Sequence, residues 1–151
     1  MKEFNSVNDI LDFAISNEQG AVEFYTELAS KVTNEAMKDI FIQFSQEEMK
    51  HKAKLLEIQE KGIYSISSVQ ITDLKIADYI VKVETSPQMT YQEALVLAMN
   101  REKSAFKLYM NLSQKAPNAE LKSLFLMMAQ EESKHKLRFE IEYDEYVLRE
   151  N

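Results

Sequence analysis

The chain has 151 residues, 45% of them hydrophobic, with two glycines, two prolines, no cysteine and a formal net charge of −7. The length suits one domain with a sizeable core, 1–151, and the absence of cysteine excludes thiolate metal sites and iron–sulfur clusters while fitting a reducing cytoplasm. An acidic balance with no basic cluster excludes nucleic acid as a partner.

Scarce glycine and proline beside abundant Glu, Lys, Leu, Ala and Met predict an all-α protein. Ser6 followed by Asp9 has the spacing of a capping box and predicts a first helix running to about Lys31. Asn34 is placed to cap a second helix from about Glu35 to Lys61, with Gly62 as its left-handed terminator. Over 62–89 the helical pattern lapses around Ile63, Tyr64, Ile66, Val69 and Ile71, apart from a candidate short helix from Asp73 to Val81. Thr90 followed by Glu93 starts a third helix reaching about Lys115, and Asn118 caps a fourth that begins near Ala119 and extends into the last residues.

The two short connections dictate antiparallel hairpins, covering about 6–61 and 90–149. The crossover 62–89 is long enough to run the height of a bundle, so the third helix starts at the same end as the second. A four-helix bundle from two repeated hairpins is expected; hairpins exchanged between two chains of a swapped dimer are the alternative. The longest apolar runs, 94–99 and 124–129, fall far short of the ~20 residues that span a bilayer. The start, Met1-Lys2-Glu3-Phe4-Asn5, lacks the apolar stretch of a signal peptide. No membrane association and a cytoplasmic location follow as expectations.

The hairpins are copies of one another. An offset of 84 residues superposes 42 positions, Leu11 to Lys52 on Leu95 to Lys136, without a gap, and 16 of the pairs are identical. Both histidines of the chain are among them. The core stripe of the first helix reads Leu11, Ala14, Glu18, Ala21, Tyr25, Leu28, and that of the third reads Leu95, Ala98, Glu102, Ala105, Tyr109, Leu112. The second gives Met37, Phe41, Phe44, Glu48, His51, Leu55, and the fourth Leu121, Phe125, Met128, Glu132, His135, Phe139.

Each stripe is apolar except where a carboxylate or an imidazole interrupts it. Glu48 and His51, three residues apart, lie about 60° apart around their axis and can reach one ion, as can Glu132 and His135. Four unpaired acids in a bundle core would each cost several kcal/mol of desolvation and repel one another. Two divalent cations cancel those charges. Glu18, Glu48, His51, Glu102, Glu132 and His135 therefore make a ligand set for two metal ions, and four carboxylates with two imidazoles suit iron or manganese, with zinc as a structural alternative. Tyr25 and Tyr109, one heptad after each upstream glutamate, are core aromatics placed to hydrogen-bond a ligand carboxylate. Glu47 and Glu131 are either solvated acids or acceptors that orient the histidine of the opposite helix. The phenylalanines and the eight methionines fill the core.

With those residues laid out, the chain resembles the diiron domain of rubrerythrin, within the ferritin-like family. The resemblance runs from Ile10 to about Tyr143 and rests on Ala14-x-x-x-Glu18-x-x-Ala21-x-x-Phe24-Tyr25, Glu47-Glu48-x-x-His51, Ala98-x-x-x-Glu102-x-x-Ala105-x-x-x-Tyr109 and Glu131-Glu132-x-x-His135. It implies a ferritin-like fold with two iron ions, bridged by Glu48 and Glu132, with Glu18 and Glu102 as terminal ligands and His51 and His135 on one metal each. It also implies a homodimer. Rubrerythrins usually carry a cysteine-ligated rubredoxin domain, which this chain lacks, so turnover calls for an external electron donor such as a rubredoxin-type protein. They usually carry a further glutamate one turn after the third-helix ligand, where this chain has Ala105.

The function implied is a non-haem diiron oxidoreductase that reduces hydrogen peroxide or dioxygen. An iron-binding or ferroxidase protein for storage or delivery is the second reading. A helical module with a structural metal is the third.

Overall fold

The computed structural model describes residues 6–62, 79 and 89–150, all but the short connections helical. Four helices follow one another: α1 (Val7–Lys31), α2 (Glu35–Lys61), α3 (Tyr91–Gln114) and α4 (Ala119–Glu150). The candidate helix from Asp73 to Val81 and nearly all of the crossover lie outside the described residues. Contacts divide the chain into two compact units, one holding α1 and α2, the other α3 and α4.

Local chemistry sets the helix ends where the sequence places them. Ser6 accepts the Asp9 N–H at 3.1 Å, Asn34 that of Met37 at 3.2 Å, and Asn118 that of Leu121 at 2.9 Å. Thr90 and Glu93 make the full reciprocal box, each side chain accepting from the other residue's backbone N–H. Gly62 closes α2 at φ 62°, a conformation that a Cβ would disfavour. Replacing Thr90 by alanine leaves one donor of the α3 N-terminus unsatisfied; a loss of about 1 kcal/mol in urea unfolding is expected, with Thr90→Ser near native.

In the first hairpin α1 and α2 are tied along one edge by a polar ladder. Ser45 pairs with Thr26 (3.0 Å), Lys52 donates to Gln19 (2.7 Å) and Gln59 donates to Asp12 (2.6 Å). Every rung is seven residues from the next on both helices, so the three share one antiparallel register. Beneath it the apolar stripe is buried, from Leu11 and Ala14 on α1 to Phe41 and Leu55 on α2. Each of the larger side chains, Leu11, Phe41 and Leu55, contributes about 1.5–3 kcal/mol by leaving water.

The second hairpin repeats the stripe without the ladder. Positions 84 residues on from the rungs are Met110 and Ala129, Lys103 and Lys136, and Val96 and Tyr143, which cannot make the same bonds. Other ties replace them: Tyr91 donates to Glu142 (3.2 Å) and Gln92 to the Tyr143 hydroxyl (3.1 Å), joining the start of α3 to the end of α4. Tyr79, buried at 2% exposure, is fastened to α3 by Ser104, which donates to its carbonyl, and by Asn111, which donates to its hydroxyl at 2.7 Å.

Candidate metal centre

On α1 the 3.6-residue period carries Glu18 into the same buried stripe as Ala14 and Tyr25, and on α2 it does the same for Glu48 and His51. All three are buried, and each offers a ligand atom within 4.8 Å of the others'. The His51 Nδ1 lies 3.7 Å from a Glu18 oxygen and 3.8 Å from a Glu48 oxygen. Burial pushes the Glu18 carboxyl well above the usual carboxylate range; the neighbouring Glu48 charge adds to the rise and His51 opposes it.

The second hairpin builds the same triad. Glu102 from α3 and Glu132 and His135 from α4 are buried, with ligand atoms again within 4.8 Å of one another. His135 Nδ1 stands 3.5 Å from a Glu102 oxygen.

These separations fit a shared cation. Two donor atoms each about 2.1 Å from one ion sit roughly 3–3.5 Å apart, close to the spacings found here. Two carboxylates and one imidazole per triad form an oxygen-rich, nitrogen-containing set suited to iron, manganese or zinc. All six residues expected as ligands are buried, and each hairpin brings its own three together.

Tyr25 and Tyr109 are fully buried in the stripe below the upstream glutamates. Tyr25 stacks on Phe41 with ring centres 6.3 Å apart, and Tyr109 stacks on Phe125 at 6.3 Å, so each ring is held by the second helix of its own hairpin. Glu47 and Glu131 are half-buried, and Glu47 accepts a long bond from Gln43 at 3.4 Å. Ala105 is half-buried on α3.

One buried charge escaped the sequence reading. Glu142 is 2% exposed, accepts from Tyr91 and lies 3.6 Å from the Arg149 guanidinium. Burial first, and then the Glu142 charge, raise the Tyr91 phenol above its ordinary value. The repeat held the signal: Glu142 is the counterpart of Ile58, a buried core position of the first hairpin. An acid on a core register marks a partnered charge.

A family model described as Rubrerythrin matches residues 9–88 and 93–151. Among solved structures, a Thermotoga maritima protein provisionally described as a ferritin-like diiron-carboxylate protein superposes with a TM-score of 0.78 and 22% identity, over 97% of this chain and 99% of that one. A hypothetical protein from Pyrococcus furiosus superposes with a TM-score of 0.69 and 24% identity, over 95% of each chain. Comparison with curated proteins returns no match. The structural likeness establishes the fold class, an all-α ferritin-like four-helix bundle. No helix among the described residues is long and apolar enough to cross a membrane.

Proposed function

The chain belongs to the rubrerythrin family, and from that premise we propose that it is a non-haem diiron oxidoreductase that reduces hydrogen peroxide or dioxygen. The observation that carries the reading is the duplicated buried triad, Glu18, Glu48 and His51 in one hairpin and Glu102, Glu132 and His135 in the other. In this reading the six would hold two iron ions, with Glu18, Glu48, Glu102 and Glu132 supplying carboxylates and His51 and His135 supplying imidazoles. Bound there, iron would supply electrons to an oxidant by cycling between its ferrous and ferric states.

The side chains have tasks of their own. Four ionised carboxylates offset the charge of two divalent ions, and their burial keeps bulk water from the oxidant. Each histidine must be neutral to lend a ring nitrogen to the metal, with the other nitrogen oriented by an acceptor; Glu47 and Glu131 are our candidates. The phenols of Tyr25 and Tyr109 would bond to ligand carboxylates and fix their rotamers. Because the chain has no cysteine to carry a second redox centre, electrons come from an external donor, for which a rubredoxin-type protein is suitable.

Protein loaded with ferrous iron under anaerobic conditions should be oxidised by one equivalent of peroxide in a single turnover, at least tenfold faster than a Glu48→Ala variant. Equal rates in the two proteins would refute the proposal.

Ala105 favours a second reading. Without the usual extra glutamate the ligand set is symmetric, which is compatible with a ferroxidase that oxidises iron for storage or delivery. Ferrous iron supplied in excess under air would then be consumed over many turnovers, against a single stoichiometric oxidation for the first reading.

A further inference from the structure

The two candidate triads are alike in their ligands and unlike in what holds their helices together. Gln19 follows Glu18 on α1 and Lys52 follows His51 on α2, and the Lys52 ammonium donates to the Gln19 amide oxygen at 2.7 Å. Gln19 in turn donates to Glu23 at 3.1 Å, which fixes the amide with its oxygen towards α2. The middle rung of the ladder therefore joins the two helices at the residues next in sequence to two of the ligands. The rungs of Ser45 with Thr26 and of Gln59 with Asp12 lie seven residues to either side, about 10 Å along each helix.

The duplication supplies an internal control. At the 84-residue offset Gln19 becomes Lys103 and Lys52 becomes Lys136. Two ammoniums offer donors and no acceptor, so they cannot make the rung. Lys136 is taken up instead by Glu140 on its own helix, at a position where the first hairpin has Leu56. The bonds of Tyr91 with Glu142 and of Gln92 with Tyr143 stand ten residues or more from Glu102 along α3.

An ion held by Glu18 from one helix and by Glu48 and His51 from the other leaves only when the donors of the two helices part. A charge-assisted bond beside them restrains that parting. The second triad is likewise shared between two helices, Glu102 on α3 against Glu132 and His135 on α4, and lacks this rung. We infer that Lys52 and Gln19 are positioning residues that make the first triad the retaining site for metal, and that the second triad is the exchangeable one, through which ions enter and leave. The inference rests on the metal-binding reading of the six ligands and is independent of the redox reaction.

Manganese(II) is the probe, and a chromophoric chelator, pyridylazoresorcinol, reports each ion released without any turnover. Protein loaded with two equivalents and mixed with excess chelator should release manganese in two phases of equal size, with rates at least tenfold apart. His135→Ala, which keeps the first triad, should show the slow phase alone, and His51→Ala the fast phase alone. Lys52→Met should speed the slow phase at least fivefold with an unchanged helical spectrum, while Lys52→Arg, which keeps a donor, should stay near native. The second hairpin can be given the rung. Lys103→Gln with Glu140→Leu should slow the fast phase at least fivefold, and Lys103→Met with Glu140→Leu, which supplies no acceptor, should not. Release in a single phase, a slow phase in His51→Ala, a slow phase indifferent to Lys52→Met, or equal release from the two double variants would each overturn the inference and leave metal binding standing. Protein that takes up no manganese would overturn both.

Discussion

Metal-free protein titrated with ferrous or manganous ion is expected to take up two ions per chain and to gain about 5–10 °C in unfolding temperature. The estimate follows from linkage. Free metal at about 10 times its dissociation constant stabilises the native state by about 1.4 kcal/mol at each of the two sites, about 2.8 kcal/mol together, and in a chain of this size each kcal/mol is worth roughly 2–4 °C. The gain has an electrostatic origin, because two divalent ions cancel the charge of four buried carboxylates that otherwise repel. His51→Ala removes the imidazole of one triad and leaves that of the other, so the expected stoichiometry falls from two ions towards one. Calorimetry and metal analysis after desalting measure both quantities. An unfolding temperature indifferent to saturating metal would remove the metal centre, and the redox reading with it.

Glu18→Gln should reverse its effect between the metal-free and the metal-loaded protein. Glu18 has its carboxyl raised above the ordinary 4.5 by burial and then by the Glu48 charge, opposed by His51. A carboxyl raised in the folded state contributes stability that is fully present below the unfolded value and is lost as pH rises through the folded one. Metal-free native protein should therefore lose stability from about pH 4.5 towards neutrality, and Glu18→Gln should flatten that slope. At pH 7 the metal-free variant is expected to be more stable than the native protein by on the order of 1–3 kcal/mol. With metal the order inverts, since a neutral amide is a poor ligand for a hard cation. Urea unfolding at several pH values, with chelator and then with manganese, measures all four states. A variant less stable than the native protein in chelator would mean that the Glu18 charge is compensated by groups other than a metal.

The two experiments separate a structural acid from a ligand. A carboxylate held by permanent protein partners destabilises when neutralised, whatever the metal content. One that awaits a cation does so only when the cation is present.

Much of the molecule was legible in the sequence because the signals are local or repeated. The ends of the helices are written within four residues of each cap, as at Thr90 with Glu93 and at Gly62. The buried stripes follow from the period of a single helix. The six candidate ligands stood out because the 84-residue offset puts each acid and imidazole on a core register twice, and chance does not duplicate an expensive residue. Tertiary structure alone decided what the rest of each hairpin does with its surface. It showed that Ser45, Lys52 and Gln59 tie α2 to α1 in one register, whereas of their counterparts Ala129 and Lys136 cannot repeat those bonds and Tyr143 joins α4 to α3 through a different partner, Gln92. It also showed that Glu142 is buried beside Tyr91 and that Tyr79 is fastened to α3. The physical reason is that a cap or a period is set by neighbours along the chain, whereas the fate of a lone polar side chain depends on which distant residue happens to face it.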